Sequence, residues 1–212
     1  MHVSEIWRYP VKSMRGEQLQ SVDVLETGLV LDRSIVCVSR ARRRVITART
    51  HPGLLRLQVR VVDGVTVIEG SRWDTPEAVS IASEAAGEEL VFADLGADTQ
   101  RFDVLPLLVA TDGALAKFGY DTRRFRPNIV IAGVTGDAER SWPGVRLQLG
   151  KVVIRPAQLR MRCIMTTFDP ETLEQDRSIL KRIVTENDGT LALDCSVLDA
   201  GHLSVGDDVA II

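Results

Sequence analysis

Apolar residues recur at every second position in short runs along the chain, and turn-forming residues separate these runs. Alternation of this kind is typical of strands that bury one face. One pair of runs flanks Asp63-Gly64, a dipeptide that favours the type I′ turn of a β-hairpin. On this basis strands are predicted at residues 3–9, 19–26, 34–39, 45–49, 54–62, 65–69, 107–110, 145–149, 151–154, 159–163 and 190–198.

Helical patterns are fewer and shorter. Residues 178–186 place apolar side chains on one face, and Thr111-Asp112 are candidate N-cap residues for a helix that follows the strand at 107–110. Residues 76–90, rich in Ala, Glu and Ser, fit either a short helix or an irregular surface segment. The pattern as a whole predicts a mainly β chain with a few helices.

Cys163 is the residue with the most distinctive chemical setting. It ends an alternating run and stands next to Arg162, with Arg160 nearby, before Asp169-Pro170 turns the chain. Neighbouring positive charge favours the thiolate, which is both a soft metal ligand and a strong nucleophile. The same pattern also fits a buried structural cysteine whose neighbouring arginines face solvent, and spacing alone does not decide between the two.

Composition narrows the class of protein. The 212 residues carry a net charge of −3, whereas general nucleic-acid binding needs a basic excess. Neither a signal-peptide h-region nor a membrane-spanning stretch is present, and three widely spaced cysteines suit free thiols in a reducing compartment. We therefore expect a cytoplasmic protein. The three histidines lack zinc-ligand spacing, and the chain contains neither a P-loop nor a Gly-rich dinucleotide fingerprint.

Residues 162–172, Arg-Cys-Ile-Met-Thr-Thr-Phe-Asp-Pro-Glu-Thr, resemble the signature of the MOSC domain family, which includes the mitochondrial amidoxime-reducing component and the C-terminal domain of molybdenum cofactor sulfurase. Three further segments match in the same order: Tyr-Pro-Val-Lys-Ser at 9–13, Asp-Arg at 32–33 after Gly-Leu, and Arg-Phe-Arg-Pro-Asn-Ile-Val at 124–130. The resemblance implies that Cys163 is the protein ligand of molybdenum in a bound molybdopterin cofactor.

The resemblance also implies a set of cofactor contacts: Lys12, Ser13, Arg33, Thr111, Arg126, Asn128, Arg162 and Asp194. Pro127 should keep Arg126 extended, so that Arg126 and Asn128 share a face. Four of these residues have ordinary alternatives, because Lys12 and Ser13 could lie in a solvated turn, Thr111 could simply cap a helix, and Arg33 could pair with Asp32 at the surface. Asp194 departs from the family pattern, which usually has an amide or a tyrosine at this position.

The implied fold is a β-barrel MOSC domain at residues 71–212, with an N-terminal β-rich region at residues 1–70 packed against it and no flexible linker between them. The implied activity is reduction of N-hydroxylated compounds, with electrons from a separate flavin or cytochrome reductase. A carrier that hands on the cofactor, or sulfur bound to Cys163, is the alternative, and a scaffold that has lost the metal is a third. Four arginines among residues 40–44 fit either a docking patch for an acidic redox partner or a solvated hairpin tip.

Overall fold

The structure, a computed structural model, describes residues 1–96, 98 and 101–212. Within these residues most of the regular structure is strand, and the prediction of a mainly β chain is confirmed. The strands are β1 (His2–Arg8), β2 (Glu17–Leu19), β3 (Ser21–Leu25), β4 (Gly28–Leu29), β5 (Ile35–Ser39), β6 (Val45–Ile46), β7 (Val59–Val62), β8 (Val65–Ile68), β9 (Ser71–Arg72), β10 (Leu90–Asp94), β11 (Leu107–Thr111), β12 (Ile129–Ala132), β13 (Leu147–Leu149), β14 (Val152–Met161), β15 (Thr190–Asp199), β16 (Gly201–Ser204) and β17 (Val209–Ile211). The α-helices are α1 (Pro76–Ala86), α2 (Asp112–Phe118) and α3 (Arg177–Asn187).

The largest sheet has eight strands in the order β17-β13-β14-β15-β11-β12-β1-β2. Neighbours in it run antiparallel except β11 and β12, which are parallel. The Val3 amide donates to the Asp207 carbonyl at 2.9 Å, and the Gly206 amide donates to the Val3 carbonyl at 2.8 Å. Because residues 206–208 lead directly into β17, these bonds bring the first strand back to the far edge and close the sheet as a barrel.

The barrel core follows from the alternation of the strands. Inward-facing side chains of the large sheet, with Val22, Val24 and Leu203 from the sheet that pairs β16, β3 and β4, form one buried apolar cluster. A second cluster packs β5, β7, β8 and β10 against α1, and a third packs α2 and α3 against the barrel. Burial of these faces is the main favourable term in folding.

The two predicted regions share hydrogen-bonded sheets. β1 and β2 belong to the same sheet as the strands after residue 107, and β16 near the end of the chain pairs with β3. The remaining two sheets, β10-β5-β6 and β7-β8-β9, consist of strands from the first 94 residues. A domain boundary after residue 70 stays a prediction.

Two local predictions are resolved in the structure. Residues 76–86 form a helix, which Thr75 caps by accepting from the Ala78 amide at 3.3 Å and which ends at Gly87 in the left-handed region. The strand expected from residue 54 was wrong at its start, because Pro52–Arg56 form a 3₁₀ turn. That turn packs so closely on α1 that a Cβ at Gly53 would lie 2.0 Å from the Ala85 carbonyl oxygen.

Among the described helices, none has both the length and the apolar character needed to cross a membrane.

Candidate functional site

A cleft of about 810 Å³, counted to its open mouth, lies where the loops of the N-terminal half meet the barrel. Eight of the nine predicted site residues line it, namely Lys12, Ser13, Arg33, Arg126, Asn128, Arg162, Cys163 and Asp194. The rest of the wall consists of Thr47, Arg49, Phe102, Asp103, Leu105, Leu108, Arg124, Phe125, Arg160, Met161 and Met165. Segments that are far apart in the sequence therefore converge on one site.

Cys163 follows the end of β14 and is half-buried. Its carbonyl accepts from the Thr166 amide at 3.1 Å and from the Thr166 hydroxyl at 2.9 Å, which fixes the backbone behind the thiol. Burial lowers the pKa of Arg49, but the charge of Asp103 and a hydrogen bond with the Cys163 side chain outweigh burial and raise it. The Cys163 thiol thus lies beside the guanidinium of Arg49, in addition to the two arginines that precede it in the sequence, Arg160 and Arg162.

The other two cysteines lie in apolar surroundings. Cys37 in β5 and Cys195 in β15 are both fully buried, and burial raises the pKa of Cys37 to about 12 and raises that of Cys195 as well. Both are therefore neutral packing residues at neutral pH. Of the three thiols, that of Cys163 is the one that lines the cleft.

Positive charge dominates the cleft wall. Seven cationic side chains line it against two carboxylates, which leaves an excess of five positive charges. The cations are Lys12, Arg33, Arg49, Arg124, Arg126, Arg160 and Arg162. An array of this kind suits an anionic ligand with several charges, because guanidinium forks bind phosphate and carboxylate oxygens bidentately.

The two cleft carboxylates hold part of this array in place. Asp103 pairs with Arg49, with Lys12 Nζ at 2.8 Å and with Arg160 Nη2 at 3.3 Å. Asp194 is almost fully buried, and it accepts from Arg160 Nη1 at 3.0 Å and from Gln158 Nε2 at 3.2 Å. Burial raises the pKa of Asp194, although the charge of Arg160 opposes the rise. Both carboxylates therefore contact arginine or lysine side chains of the wall.

Tyr9 packs against two of the arginines. The Arg33 and Arg126 guanidinium carbons lie 4.8 and 4.2 Å from the centroid of its ring. Arg33 also donates to Asp32, to Asn128 Oδ1 at 3.1 Å and to the Arg126 carbonyl at 3.3 Å. The Asp32–Arg33 ion pair, considered above as a surface alternative, is buried, since Asp32 is inaccessible to solvent.

Among the described residues that line the cleft, the guanidinium groups of Arg124, Arg126 and Arg162 each keep a donor without an acceptor. Within the described part of the chain, Arg126 Nη2 and Arg162 Nε are buried and find no hydrogen-bond partner. Burial lowers the pKa of each to about 10, so both remain cationic at neutral pH. Buried donors are almost always satisfied in native proteins, and these two therefore point to a bound acceptor.

Among the described residues, three of the ten non-glycine residues with positive φ line the cleft. Ser13, Arg33 and Arg126 have φ values of 74°, 52° and 56°, in the left-handed region that non-glycine residues rarely adopt. Each such residue costs about 1–3 kcal/mol, and strain of this size tends to collect at functional sites. The expectation that Pro127 keeps Arg126 extended was wrong, because contacts with Tyr9 and Arg33 determine its conformation.

Two predicted contacts have structural roles in the protein itself. Thr111 ends β11 three residues beyond the cleft-lining Leu108, about 10 Å along the strand, where its hydroxyl accepts from the Ala114 amide and donates to Glu139 Oε2 at 3.1 Å. Asn128 lines the cleft, but its amide already bonds Arg33, the Leu108 amide and the Trp7 carbonyl. Asn128 therefore positions Arg33 and joins β1 to β11.

The predicted site residues did not include four charged residues of the wall, Arg49, Asp103, Arg124 and Arg160. Arg49 ends a Thr-Ala-Arg segment and Arg124 opens the Arg-Phe-Arg-Pro-Asn segment, so both carried a usable signal. Asp103 lies in an irregular stretch before β11 with no local pattern, and its pairing with three distant cations shows only in the fold.

Comparison with known proteins relates the chain to two described domain families. Residues 1–100 match the MOSC N-terminal beta barrel domain, and residues 110–210 match the MOSC domain. Mitochondrial amidoxime-reducing component 1 of Mus musculus is 24% identical over 233 residues, which cover 82% of this chain and 68% of the relative. The human protein of that name is also 24% identical, over 80% of this chain and 67% of its own.

The fold is also similar to that in the crystal structure of the YUAD protein from Bacillus subtilis. That structure superposes with a TM-score of 0.52 at 12% identity and covers 98% of this chain and 92% of its own. At this identity the likeness concerns the fold alone, and it agrees with the two domain matches, which together span nearly the whole sequence. The chain belongs to the MOSC domain family.

Proposed function

We propose that the protein is a molybdenum-cofactor-dependent reductase of N-hydroxylated compounds, with Cys163 as the protein ligand of the metal. The names of its relatives support an amidoxime or a similar compound as the substrate. The observation that carries the proposal is the single cleft cysteine among an excess of positive charge and unsatisfied guanidinium donors.

The donor set fits this cofactor. Within the described residues no group of three or more His, Cys, Asp or Glu side chains could hold a metal ion. A metal next to Cys163 would therefore need further donor atoms from the ligand that carries it, and a molybdopterin provides sulfur donors and an anionic phosphate. Arg126, Arg162, Lys12, Arg33 and Ser13 would surround the phosphate and the pterin.

The bound metal would supply the two-electron chemistry that cleaves an N–O bond. The protein would contribute orientation and charge. Asn128 and Asp32 hold Arg33, and Asp194 and Asp103 hold Arg160, so that the cationic groups are fixed before the cofactor arrives. Preorganised charge of this kind costs no rearrangement when the anion binds.

Cys163 itself supports a reductase over a carrier. Sulfur delivery needs a thiol that is exposed and free to move, whereas a metal ligand needs a fixed one. Here the side chain is half-buried, and two hydrogen bonds from Thr166 hold the carbonyl of the same residue.

The test is the metal content of protein purified from a host that makes the cofactor. We expect about one molybdenum per chain, because one cysteine ligates it, together with the fluorescence of oxidised pterin after denaturation. The same preparation should reduce benzamidoxime to benzamidine with a chemical electron donor. Protein that folds but contains neither metal nor pterin would contradict the proposal.

A further inference from the structure

A second chamber of about 650 Å³, counted to its open mouth, adjoins the cleft. The two cavities share Arg124, Arg126 and Met165 as a common wall. The remaining lining of the second chamber consists of Trp7, Tyr9, Arg15, Gly16, Leu55, Gln58, Arg123, Phe168 and Pro170. Cys163 lies on the cleft side, two residues before Met165 in the sequence.

The lining combines flat apolar surfaces with arginine and contains no carboxylate among the described residues. The acidic partners of its arginines lie outside it, since Arg15 pairs with Glu171 at 2.9 Å and Arg124 pairs with Asp169 at 2.7 Å. Trp7, Leu55 and Phe168 offer surfaces for a planar apolar group. The chamber therefore favours a flat molecule that carries negative charge and disfavours a cation.

Two of the residues that line the chamber carry a buried donor without an acceptor. Tyr9 lines the chamber and is 2% exposed, and its hydroxyl finds no hydrogen-bond partner in the described part of the protein. Arg124 Nη1 is likewise buried and unpaired, although Nη2 of the same side chain bonds Asp169. Burial raises the pKa of Tyr9 to about 12, so its hydroxyl keeps the proton at neutral pH.

Tyr9 is also held firmly. Its amide donates to Asp32 Oδ1 at 2.7 Å, Arg126 packs on its ring, and a Cβ at Gly16 would lie 2.5 Å from Tyr9 Cε1. The ring is therefore closely packed, and because the hydroxyl oxygen lies on the ring axis, it stays where the described residues offer no acceptor. An acceptor that enters the chamber would satisfy this donor.

We propose that the second chamber binds an aromatic carboxylate, with the ring against Trp7, Leu55 and Phe168 and the carboxylate accepting from Tyr9 and Arg124. Because the chamber shares a wall with the cleft, this group would be the body of the substrate. That identification rests on the proposed function, and it predicts a preference for aromatic N-hydroxylated compounds that carry an acidic group.

Binding can be measured without the metal. The probe is 4-(trifluoromethyl)benzoate, titrated into the full chain as purified and followed by ¹⁹F NMR, with 4-(trifluoromethyl)benzylamine as its cationic counterpart. Inorganic phosphate is added at saturation so that the cationic cleft cannot account for the signal. We expect the benzoate to bind and the amine not to bind.

Two variants locate the site. Tyr9→Phe removes one hydroxyl and should weaken benzoate binding about three- to tenfold, the value of one hydrogen bond. Tyr120→Phe is the matched control, since the Tyr120 hydroxyl contacts Arg182 and not the chamber, and it should leave the affinity unchanged. Leu55→Trp fills the chamber and should abolish binding.

Equal affinity in wild type, Tyr9→Phe and Leu55→Trp would overturn the inference, and so would equal binding of the amine. The proposed function fails separately, through absence of molybdenum, and benzoate binding in metal-free protein would still support the chamber. In loaded protein, 4-carboxybenzamidoxime should have a lower KM than benzamidoxime, and Tyr9→Phe should remove most of the difference. The same KM for both compounds would refute the link to substrate.

Discussion

At the scale of single residues, the proposal depends first on Cys163, the thiol that lines the cleft. Cys163→Ser should abolish molybdenum retention while the protein stays folded, because serine is a poorer ligand for a soft metal. Cys37→Ala and Cys195→Ala should keep the metal, since both thiols are buried in the apolar core. Metal analysis and thermal unfolding on all three variants test this. If the Cys163→Ser variant retained as much molybdenum as wild type, the assignment of Cys163 as the metal ligand would be wrong.

Arg126 provides a second test at this scale. Its guanidinium lines the cleft with Nη2 unpaired, whereas Arg123 lies outside the cleft and pairs with Asp121 at 2.7 Å. Losing a hydrogen bond to a charged group costs about 1.5–3 kcal/mol, so Arg126→Ala should lower cofactor affinity about ten- to a hundredfold. Arg123→Ala is the control. Pterin content after dialysis is the measurement, and equal loss in both variants would count against the site.

These residues also show how far a sequence can predict a site. Eight of the residues selected by the motif matches line one cleft, because each matched segment occupies a defined place in the fold. Conformation at Arg126 was not predictable, since the local effect of Pro127 was overridden by Tyr9 and Arg33, which are remote in the sequence. The role of Asn128 in holding Arg33 depends on the same distant contact.

At the scale of elements, the hairpin tip between β5 and β6 is the feature with a testable role. Its residues 40–44 are exposed, and they lead through β6 to Thr47 and Arg49 in the cleft wall. Arg42 is partly neutralised by Glu88, but Arg43 and Arg44 add to the positive charge. Arg44 at the tip lies about 10 Å along the strand from Thr47 in the cleft wall. An acidic electron donor that binds the tip by charge attraction would therefore lie near the cleft.

Arg43→Glu with Arg44→Glu should therefore slow turnover driven by a protein donor and leave turnover driven by reduced methyl viologen unchanged. Arg146→Glu with Arg155→Glu, both at exposed positions, is the charge-matched control. Raising salt should reduce only the protein-driven rate in wild type, because long-range attraction is screened. If the hairpin and control variants behave alike, the tip is only a solvated turn.

Individual elements were easier to predict than their arrangement. The helix at 178–186 and the strand at 190–198 appear as α3 and β15 with ends shifted by one residue, since their periodicities are clear. The parallel pairing of β11 with β12, and the pairing of β16 with β3, join segments up to about 180 residues apart. Such pairings depend on how whole faces pack, which a local pattern does not encode.

At the scale of the whole molecule, Asp103 ties distant parts of the chain together through Lys12, Arg49 and Arg160. Burial opposes its ionisation, but the hydrogen bond and charge of Lys12 and the charge of Arg49 outweigh burial and hold its pKa well below the usual range. A lowered folded-state pKa adds stability above the unfolded-state value and loses it as pH falls.

Asp103→Asn should therefore destabilise the cofactor-free protein at pH 7 by about 1 kcal/mol, a value reduced by solvent screening because the side chain is partly exposed. The difference from wild type should shrink as the pH falls below the ordinary carboxylate range, where the unfolded state takes up the proton. Urea unfolding at a series of pH values measures it. Asp74→Asn is the control, because its ion pair with Arg72 lies at the surface, and a pH-independent difference at Asp103 would contradict the assignment.

The supply of electrons concerns the molecule as a whole. Reduction of an N–OH group to N–H consumes two electrons and two protons and releases water. The 212 residues contain three cysteines, in no iron–sulfur spacing, and no Gly-rich dinucleotide fingerprint. We therefore expect the purified chain to be inactive on benzamidoxime with NADH or NADPH alone. It should turn over with reduced methyl viologen, or when a separate flavin or cytochrome reductase is added. Rapid NADH-driven reduction by the isolated chain would show that it accepts electrons directly from the nicotinamide cofactor. The prediction that it requires a partner protein would then be wrong.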